Sequence, residues 1–395
     1  MSVSARSLAV PLAIVSVSAM IGLCRRSEHD YYEPSSFNFL MPVSAIYSSL
    51  APLWVFATLR QLNLNIVKPL PSIDDDDKNN QRRIAIVTGS NTGIGFETAK
   101  ALVVDYGWEV ILACRTKEKA MKAMDEINRQ ASSAQNMMGG VAVVLETPLD
   151  LSSFASIQRY SADLQQKYEN KTIDALVNNA GRNTSGKAPG DLDLLFTSNF
   201  LGHFFLTNLL IDNLRGGRIV NLSSVMHHFA GTQTKDTDYW TSIMAYHDPP
   251  LPHVYSASKL AAVLFTVELN RRFSESHGIK SIAVNPGGVA SDIWRDFPVA
   301  MQSLFRKIYL TPKQGASTTV AAVVGQTWGE DTIYLQPFWQ SDKISTGDVP
   351  PAFAELHGPY VGYFPSRPRL PDTDGVAAAK ALWDAANTVV EKTIQ

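Results

Sequence analysis

The sequence predicts an α/β fold with a doubly wound parallel sheet, and three observations lead to this prediction. Ile84 to Val87 form a short apolar segment typical of a buried strand, and the apolar residues from Phe96 to Val104 recur at helical spacing. Three glycines, Gly89, Gly93 and Gly95, lie between these segments. Further along the chain, short apolar segments alternate with helical patterns, as expected of a parallel sheet covered by helices.

The glycine loop has the spacing G-x-x-x-G-x-G, whereas the commoner dinucleotide-binding loop is G-x-G-x-x-G. Glycine permits a tight turn from strand to helix in which backbone N–H groups approach an anion, with the positive end of the helix dipole behind them. We therefore interpret the loop as a cradle for a diphosphate. The alternative is a glycine-rich turn that binds nothing.

Glu109 to Cys114 is predicted as the second strand, and Arg115 follows it 20 residues after Gly95 (115 − 95 = 20). In NAD-binding sites an acidic residue near this distance binds the ribose 2′-hydroxyl, whereas arginine suits the 2′-phosphate of NADP. The sequence therefore favours NADP(H). Lys117 and Lys119 add positive charge nearby, although they could equally begin a solvated helix.

A helix from Thr116 to Gln130 precedes a third predicted strand, Val141 to Leu145, and Asp150 and Leu151 follow. The carboxyl ends of parallel strands face the ligand crevice, so Asp150 could bond an adenine amine. Capping of the helix before Ser152 is the competing role.

A helix from Ser153 to Tyr168 leads to a fourth predicted strand, Ile173 to Val177. The next four residues suit a turn that lets the backbone pass close to a nucleoside: Asn178, Asn179, Ala180 and Gly181. A bare NNAG could be only a turn. Its position at the end of a fourth strand makes it informative.

Four polar residues in the second half of this region indicate acid–base chemistry. Asn199 lies inside an apolar helix, where a polar side chain is costly unless paired. Ser224 follows a fifth predicted strand, Gly217 to Leu222, while Tyr255 and Lys259 are four residues apart and share one helical face.

These four residues supply a mechanism. We expect the Lys259 ammonium to lower the pKa of the Tyr255 phenol, because a nearby positive charge favours phenolate. Ser224 can bond the substrate oxygen, and Tyr255 can pass it a proton while a hydride arrives from nicotinamide. Asn199 could hold a water that links Lys259 to solvent.

From about Arg82 to the C-terminus, the chain resembles the short-chain dehydrogenase/reductase superfamily in TGSNTGIG, NNAG, Asn199, Ser224, YSASK and NPGGV. The resemblance implies a Rossmann-type single catalytic domain, with Asn178 by the adenosine half of the cofactor and 285–289 beside the nicotinamide. Ser291 stands where the family often has threonine. The candidate cofactor-binding residues are, in full, Thr88, Gly89, Ser90, Asn91, Thr92, Gly93, Ile94, Gly95, Arg115, Asp150, Leu151, Asn178, Ala180, Gly181, Tyr255, Lys259, Pro286, Gly287, Val289 and Ser291.

Within the superfamily, three features resemble the retinol dehydrogenase-like branch: LACR, the long spacing from SSVMHHF to YSASK, and GPYVGYF followed by AAAKALWDAA. The 30 residues between Ser224 and Tyr255 (255 − 224 − 1 = 30) include Tyr239, Trp240 and Tyr246. These aromatic side chains could cover a lipophilic substrate or simply pack against the domain.

Beyond this excursion, Trp294 to Leu310 fits a lid over the substrate mouth. Pro312 to Val324 is predicted as a helix on the sheet, and Pro359 to Phe364 as a final strand. Trp328 to Pro351 has no pattern that we can assign.

Two apolar stretches precede the glycine loop, Leu8 to Cys24 and Phe37 to Leu59. The second is long enough to span a bilayer, and the first is close to the lower limit of ~17 residues. The first could be a cleaved signal peptide, half of a helical hairpin or a signal anchor. The alternative for the second, which contains Pro42 and Pro52, is a buried helix of the globular domain.

We therefore predict a membrane-attaching region at 1–67, an acidic linker at 68–82 and a catalytic domain at 83–395. We expect the protein on the endoplasmic reticulum or a lipid droplet, with the catalytic domain in the cytosol. Self-association into a homo-oligomer is left open.

Composition excludes other classes of protein. The formal net charge is −2, from 35 basic and 37 acidic residues, so no global field attracts nucleic acid. Two cysteines, Cys24 and Cys114, make a disulfide framework improbable. The chain has no C-x-x-C, and the pair His227-His228 is more typical of a loop than of a metal site, so we predict no metal.

Three hypotheses follow. The first is a membrane-attached NADP-dependent oxidoreductase of lipophilic alcohols, aldehydes or ketones, of the retinoid, steroid or fatty aldehyde class. The second is a light-dependent reductase of a protochlorophyllide-type pigment, whose catalytic tyrosine and lysine look the same. The third is a redox-inactive cofactor-binding scaffold, against which the intact Asn199, Ser224, Tyr255 and Lys259 argue.

Overall fold

A computed structural model describes residues 66–67, 82–133, 139–169, 171–230, 234–294, 309–325, 333–338, 360–365 and 375–394, with positions 299, 302–303, 306, 368 and 370–371. Within these residues the chain forms a nine-stranded sheet and a two-stranded ribbon. The strands are β1 (Ile66–Val67), β2 (Ile84–Thr88), β3 (Glu109–Ala113), β4 (Val141–Val143), β5 (Ala175–Asn178), β6 (Lys187–Ala188), β7 (Leu192–Asp193), β8 (Arg218–Leu222), β9 (Lys280–Val284), β10 (Tyr334–Phe338) and β11 (Tyr360–Pro365).

The helices cover the sheet and connect its strands. They are α1 (Gly93–Val104), α2 (Lys117–Ser133), α3 (Phe154–Lys167), α4 (Leu194–Phe196), α5 (Gly202–Leu209), α6 (Thr237–Met244), α7 (Val254–His277), α8 (Pro312–Val324) and α9 (Val376–Ile394). A π-helical turn, Thr197–Leu201, joins α4 to α5. Short 3₁₀ turns lie at Ile211–Leu214, Val225–Phe229 and Asp292–Trp294.

The strand order is β4-β3-β2-β5-β8-β9-β10-β11-β1, and every pair from β4 to β10 is parallel. The order reverses at β2, which lies between β3 and β5. In doubly wound sheets a ligand crevice forms outside the carboxyl ends of the strands at such a reversal. The predicted Rossmann-type parallel sheet is therefore confirmed, and β2 and β5 define where its site lies.

Alternate residues of β2 enter two separate cores. Ile84 and Ile86 pack into the core that contains α3, α5 and α7, whereas Ala85 and Val87 pack into the core that contains α1 and α8. All four side chains are buried, which is why the strand has an unbroken apolar sequence.

Of the seven strands from β4 to β10 in the sheet order, two are not assigned from the sequence. One is β9, and the other is β10, which lies inside the region Trp328 to Pro351. The predicted lid, Trp294 to Leu310, lies largely outside the described residues. The two ends of this segment are described. The ring of Trp294 lies 5.7 Å from the ring of Tyr309, and Leu310 forms a β-bridge with Val289.

The predicted membrane-attaching stretches, Leu8 to Cys24 and Phe37 to Leu59, also lie outside the described residues. Among the residues that the structure describes, no helix has the length and apolar character needed to cross a bilayer. Ile66–Val67, which we grouped with the N-terminal region, pairs in parallel with β11 at the edge of the sheet. The sheet therefore begins before the predicted domain boundary, and the boundaries themselves stay a prediction.

Candidate active site

The glycine loop connects β2 to α1 through two left-handed residues, Gly89 (φ +64°) and Gly93 (φ +61°). The N-cap residue, Thr92, makes no side-chain capping bond, and the first turn of α1 has no acidic residue. The N–H groups of this turn are therefore left for an external anion. A Cβ on Gly93 would lie 3.6 Å from the Cβ of Ser291, which places Ser291 against the loop. These features fit a diphosphate.

Asn179 fixes the shape of this loop. Its amide nitrogen donates to the carbonyl oxygens of Thr88 at 2.6 Å and of Gly89 at 3.4 Å. A Cβ on Gly95 would lie 2.4 Å from that nitrogen and 2.6 Å from the Gly89 oxygen, so only glycine fits. Within the loop, Ser90 and Gly95 are buried, whereas Asn91, Thr92 and Ile94 keep accessible surface.

Cys114 lies under the loop, where its Sγ is 3.5 Å from the Ser90 hydroxyl and burial raises the pKa of its thiol. The next residue, Arg115, is exposed, and its guanidinium has no partner among the described residues. Lys117 is instead paired with Glu146. Of these two cations, Arg115 is the one available to a ligand at the end of β3.

Asp150 uses one carboxylate oxygen locally. Its Oδ1 accepts from the backbone N–H of Ser152 at 2.9 Å and from the Ser152 hydroxyl at 2.7 Å. The N-cap of α3 is Ser153 rather than Asp150. The neighbouring Leu151 is buried, and its carbonyl lies where a Cβ on Gly202 would be, so α5 packs directly against this turn.

The resemblance places Asn178 by the adenosine half of a cofactor, whereas its side chain lies in the protein interior. It is 4% exposed, and its amide donates to Asn221 Oδ1 at 2.8 Å and to Thr207 at 3.2 Å. Asn221 in turn donates to Thr266 and Ser281. Asn178 therefore belongs to a buried polar network between β5, β8 and α7, because successive side chains of a strand alternate in direction.

The turn after β5 approaches both the glycine loop and the polar residues of the second half. A Cβ on Gly89 would lie 3.0 Å from the Cα of Ala180. A Cβ on Gly181 would lie 3.4 Å from Asn199 Oδ1 and 3.7 Å from Lys259 Nζ. Ala180 and Gly181 thus occupy the crevice between the two predicted groups.

Asn199 lies in the middle of the π-helical turn, a local widening that is frequent at functional sites. Its Oδ1 accepts from the backbone of Arg182 at 2.8 Å, and its Nδ2 donates to the Arg182 carbonyl at 2.9 Å and to the Ser258 hydroxyl at 3.1 Å. The side chain is therefore occupied by protein groups. If Asn199 holds a water, as the sequence predicts, the group that remains for this bond is its backbone carbonyl.

Ser224, Tyr255 and Lys259 meet at the carboxyl end of β8. The Lys259 ammonium donates to the Leu222 carbonyl at 3.1 Å and lies 5.6 Å from the centroid of the Tyr255 ring. Ser224 is hydrogen-bonded to Tyr255, and this bond lowers the phenol pKa. Burial has the larger effect and raises the pKa of Tyr255 to about 12.

The expected lowering of the Tyr255 pKa by Lys259 is therefore wrong for this structure. Burial penalises both charged forms, and it also lowers the pKa of Lys259 to about 8. Tyr255 is protonated at neutral pH. As a proton donor to a carbonyl oxygen, it stands in the protonation state that reduction requires.

The segment after β9 borders the same crevice. Asn285 Oδ1 accepts from the Gly287 backbone at 2.9 Å, and Gly287 has φ +80°, which closes a tight turn. Pro286 and Val289 are buried on either side of it. Ser291 next to this segment contacts Gly93, Ala180 contacts Gly89, and Gly181 contacts Asn199 and Lys259. The assignment of the other predicted residues to the same site stays a prediction.

Comparison with known proteins now decides the family. The short chain dehydrogenase family matches residues 83–235. Human retinol dehydrogenase 11 is 36% identical over 248 residues, covering 60% of this chain and 71% of that protein. Human retinol dehydrogenase 13 is 31% identical over 306 residues, covering 76% and 82%. The chain belongs to the short-chain dehydrogenase family. Human retinol dehydrogenase 14 is also similar, at 29% identity over 324 residues, 78% of this chain and 86% of that protein.

As a short-chain dehydrogenase, the protein is an oxidoreductase that uses a nicotinamide dinucleotide. The resemblance to the retinol dehydrogenase-like branch is confirmed as well. Within the described residues, no group of three or more His, Cys, Asp or Glu side chains could hold a metal ion.

In the excursion between Ser224 and Tyr255 of this short-chain dehydrogenase, the aromatic residue Trp240 packs into the core. Trp240 is fully buried, its indole N–H donates to the Thr234 carbonyl at 2.9 Å, and its ring lies 6.2 Å from that of Phe196. Tyr239 and Tyr246 are partly buried. For Trp240, packing against the domain is therefore the correct interpretation.

Asn179 and His227 support this short-chain dehydrogenase site, and the sequence alone does not single them out. Asn179 belongs to the NNAG motif, and only its bonds to the glycine loop reveal its role. His227 donates from Nδ1 to the Ser224 carbonyl at 2.7 Å and lies 5.4 Å from the ring of Tyr334. Its proximity to Ser224 in the sequence was the available signal.

Proposed function

We propose that this chain is an NADP(H)-dependent oxidoreductase that interconverts a lipophilic alcohol and its aldehyde or ketone, of the retinoid, steroid or fatty aldehyde class. The observation that carries the proposal is the convergence of Ser224, Tyr255 and Lys259 on the crevice that the glycine loop borders. A redox-inactive scaffold has no need of a phenol that is hydrogen-bonded to a serine and has an ammonium 5.6 Å from its ring centroid.

The cofactor fits the crevice residues. The free N–H groups at the start of α1 suit its diphosphate, and Gly89, Gly93 and Gly95 leave room for close approach. When bound, the nicotinamide supplies a hydride to the carbonyl carbon or takes one from the alcohol. Ser224 orients the substrate oxygen by a hydrogen bond, and Tyr255 gives that oxygen its proton in reduction and removes it in oxidation.

The preference for NADP(H) is supported by Arg115. It is exposed at the carboxyl end of β3, it has no described partner, and no acidic side chain follows β3 directly. A guanidinium forms bidentate, charge-assisted bonds to phosphate. Because Glu146 already occupies Lys117, Arg115 is the residue that we assign to the 2′-phosphate.

A lipophilic substrate is supported by two exposed apolar side chains on the turn that follows Ser224. On the 3₁₀ turn Val225–Phe229, Met226 is 37% exposed and Phe229 is 39% exposed. The backbone N–H of Met226 donates to the Ser224 hydroxyl at 3.3 Å, so the turn that carries these two side chains begins at the reacting group. The relatives named retinol dehydrogenases point to the same class of substrate.

We further propose attachment to the endoplasmic reticulum or a lipid droplet, with the catalytic domain in the cytosol. This rests on the two apolar stretches ahead of the acidic linker. A membrane is where lipophilic alcohols and aldehydes dissolve, so attachment would bring the crevice close to its substrate. The pigment-reductase alternative has no specific observation in its favour.

A substrate screen tests the proposal. Purified protein in detergent is mixed with NADPH or NADH and with retinoid, steroid or fatty aldehydes, and cofactor oxidation is followed by absorbance. We expect turnover of at least one lipophilic aldehyde, faster with NADPH. Turnover only of small polar carbonyls, or only with NADH, would contradict the substrate class or the cofactor.

A further inference from the structure

His203 is a buried residue near the start of α5 that the proposed mechanism does not use. Its side chain is 3% exposed, and both ring nitrogens are within hydrogen-bond distance of other groups. Nδ1 lies 3.1 Å from the backbone oxygen of Asn199, and Nε2 lies 2.9 Å from the hydroxyl of Thr88. One ring thus connects the glycine loop to the π-helical turn.

The partners of the ring fix its tautomer. A backbone carbonyl only accepts hydrogen bonds, so Nδ1 carries the hydrogen that is donated to Asn199. Burial lowers the pKa of His203 to about 4, and the ring is therefore neutral at pH 7. Nε2 is then a bare acceptor, and the Thr88 hydroxyl donates to it.

On the cofactor side, this arrangement uses every bond that the Thr88 hydroxyl can make. Its oxygen accepts the backbone N–H groups of Asn179 at 2.9 Å and Ala180 at 3.0 Å. Its hydrogen has two possible acceptors, His203 Nε2 at 2.9 Å and the Val177 carbonyl at 3.2 Å. The shorter contact orients the hydroxyl so that both N–H groups of the turn after β5 meet its lone pairs.

On the catalytic side, the ring holds the backbone of Asn199. The side chain of Asn199 fixes Arg182 and Ser258, and Ser258 precedes Lys259 on α7. His203 bonds the backbone carbonyl of Asn199, so the ring fixes the main chain from which this side chain reaches Arg182 and Ser258.

We propose that His203 is a positioning residue that ties the diphosphate loop, through Thr88, to the catalytic group, through Asn199. The proposal rests on the proposed function for the roles of these two partners. It assigns the two ring nitrogens to two separable effects: Nε2 supports cofactor binding, and Nδ1 supports turnover.

Three substitutions separate the two effects. His203→Gln places an amide oxygen near the position of Nε2 and can accept from Thr88, whereas His203→Asn places an amide nitrogen near the position of Nδ1 and can donate to the Asn199 carbonyl. His203→Phe keeps the ring and makes neither bond. Phe204→Leu is the matched control, because Phe204 is a buried aromatic residue on the same helix whose ring packs against Phe265 and Trp383.

The measurements are the Kd for NADPH, from fluorescence titration, and kcat for the best aldehyde of the screen. We expect His203→Phe to raise Kd and to lower kcat, each about three- to tenfold, the usual effect of one hydrogen bond. His203→Gln should restore Kd but not kcat, and His203→Asn should restore kcat but not Kd. If His203→Phe fails to fold, the opposite behaviour of the Gln and Asn variants still carries the test.

Two results would overturn the inference. One is a set of His203 variants with Kd and kcat within twofold of Phe204→Leu, since His203 would then serve packing alone. The other is a nitrogen-15 NMR spectrum of the cofactor-free protein in which Nε2 of His203 carries the hydrogen. A wild-type protein that neither binds NADPH nor turns over an aldehyde would instead contradict the proposed function, so the two failures are distinguishable.

Discussion

The ammonium of Lys259 lies 5.6 Å from the centroid of the Tyr255 ring, and burial disfavours the charged form of both groups. Burial moves the pKa of Tyr255 up to about 12 and that of Lys259 down to about 8. At neutral pH Lys259 is therefore charged, and the burial of this charge lowers the stability of the folded protein. Functional residues often lower stability in this way. We therefore expect that removal of the charge stabilises the protein and lowers its catalytic activity.

Lys259→Met should be inactive yet more stable than wild type at pH 7. A fall in the lysine pKa from 10.5 to about 8 means that burial of the ammonium destabilises the folded state by about 3 kcal/mol. The variant also loses the hydrogen bond to Leu222, which cancels about 1 kcal/mol of the gain. The free energy of unfolding, from urea titration, should rise by about 2 kcal/mol. Lys380→Met, at an exposed position of α9, should change it little.

The same stabilisation should depend on pH. Below about pH 8 the lysine is charged in both the folded and the unfolded state, so the burial cost is fully present. Between pH 8 and 10.5 the folded state loses its proton first, and the cost disappears. The advantage of Lys259→Met should therefore shrink over this range, and an advantage that grows with pH would contradict the assignment.

Arg115→Asp should weaken NADPH binding and improve the use of NADH. The substitution replaces the partner of a 2′-phosphate with a like charge, and charge-assisted bonds contribute roughly 1.5 to 3 kcal/mol, so the ratio of kcat/KM for NADPH over NADH should fall at least about tenfold. Lys119→Asp is the matched control for net charge, since Lys119 is exposed nearby. Equal shifts in the two variants, or an unchanged ratio, would remove Arg115 from the cofactor site.

Gly95→Ala should damage the cofactor loop. The new Cβ would lie 2.4 Å from the Asn179 amide and 2.6 Å from the Gly89 carbonyl, a backbone group that cannot move away cheaply. We expect a loss of about 1 to 3 kcal/mol in stability and little cofactor binding in what remains folded. Gly186→Ala, where the nearest atom is 3.4 Å away, is the control. Thermal denaturation with and without NADPH measures both effects.

The sheet was predictable because its evidence is local. The glycine loop, the apolar strands and the helical spacing each occupy a few neighbouring residues, and their order along the chain implies a parallel sheet. β10 is not predicted, because its local sequence, YLQPF, contains a proline that argues against a strand. Only its pairing with β9 and β11 shows that it belongs to the sheet.

The sequence names candidate members of the site but not the directions of their side chains. Asn178 and Asn179 are adjacent amides in one motif, yet one enters a buried network and the other clamps the glycine loop. A strand end turns alternate side chains to opposite sides, and no residue pattern states which one faces the crevice. The spacing of Tyr255 and Lys259 likewise predicts their proximity, whereas burial decides the sign of the pKa shift.

Membrane attachment is tested on the full chain expressed in cells. We expect the protein to stay in the pellet after carbonate extraction, because the stretch from Phe37 to Leu59 is long enough to span a bilayer. A variant that lacks residues 1–65 should be released under the same treatment. Full release of the intact full-length protein would contradict attachment.

The central claim is that Tyr255 transfers the proton. Tyr255→Phe keeps the ring and its packing but removes the transferable hydrogen, so the thermal transition and the Kd for NADPH should stay close to those of wild type. Tyr246→Phe, at a partly buried tyrosine of the excursion, controls for loss of a phenol elsewhere.

The most direct measurement is the single-turnover rate of aldehyde reduction by Tyr255→Phe, with protein shown to be folded and saturated with NADPH. Loss of a positioned acid should slow this step by about 10²-fold or more, while Tyr246→Phe reacts at the wild-type rate. A Tyr255→Phe variant that reduces the aldehyde at the wild-type rate would contradict the mechanism.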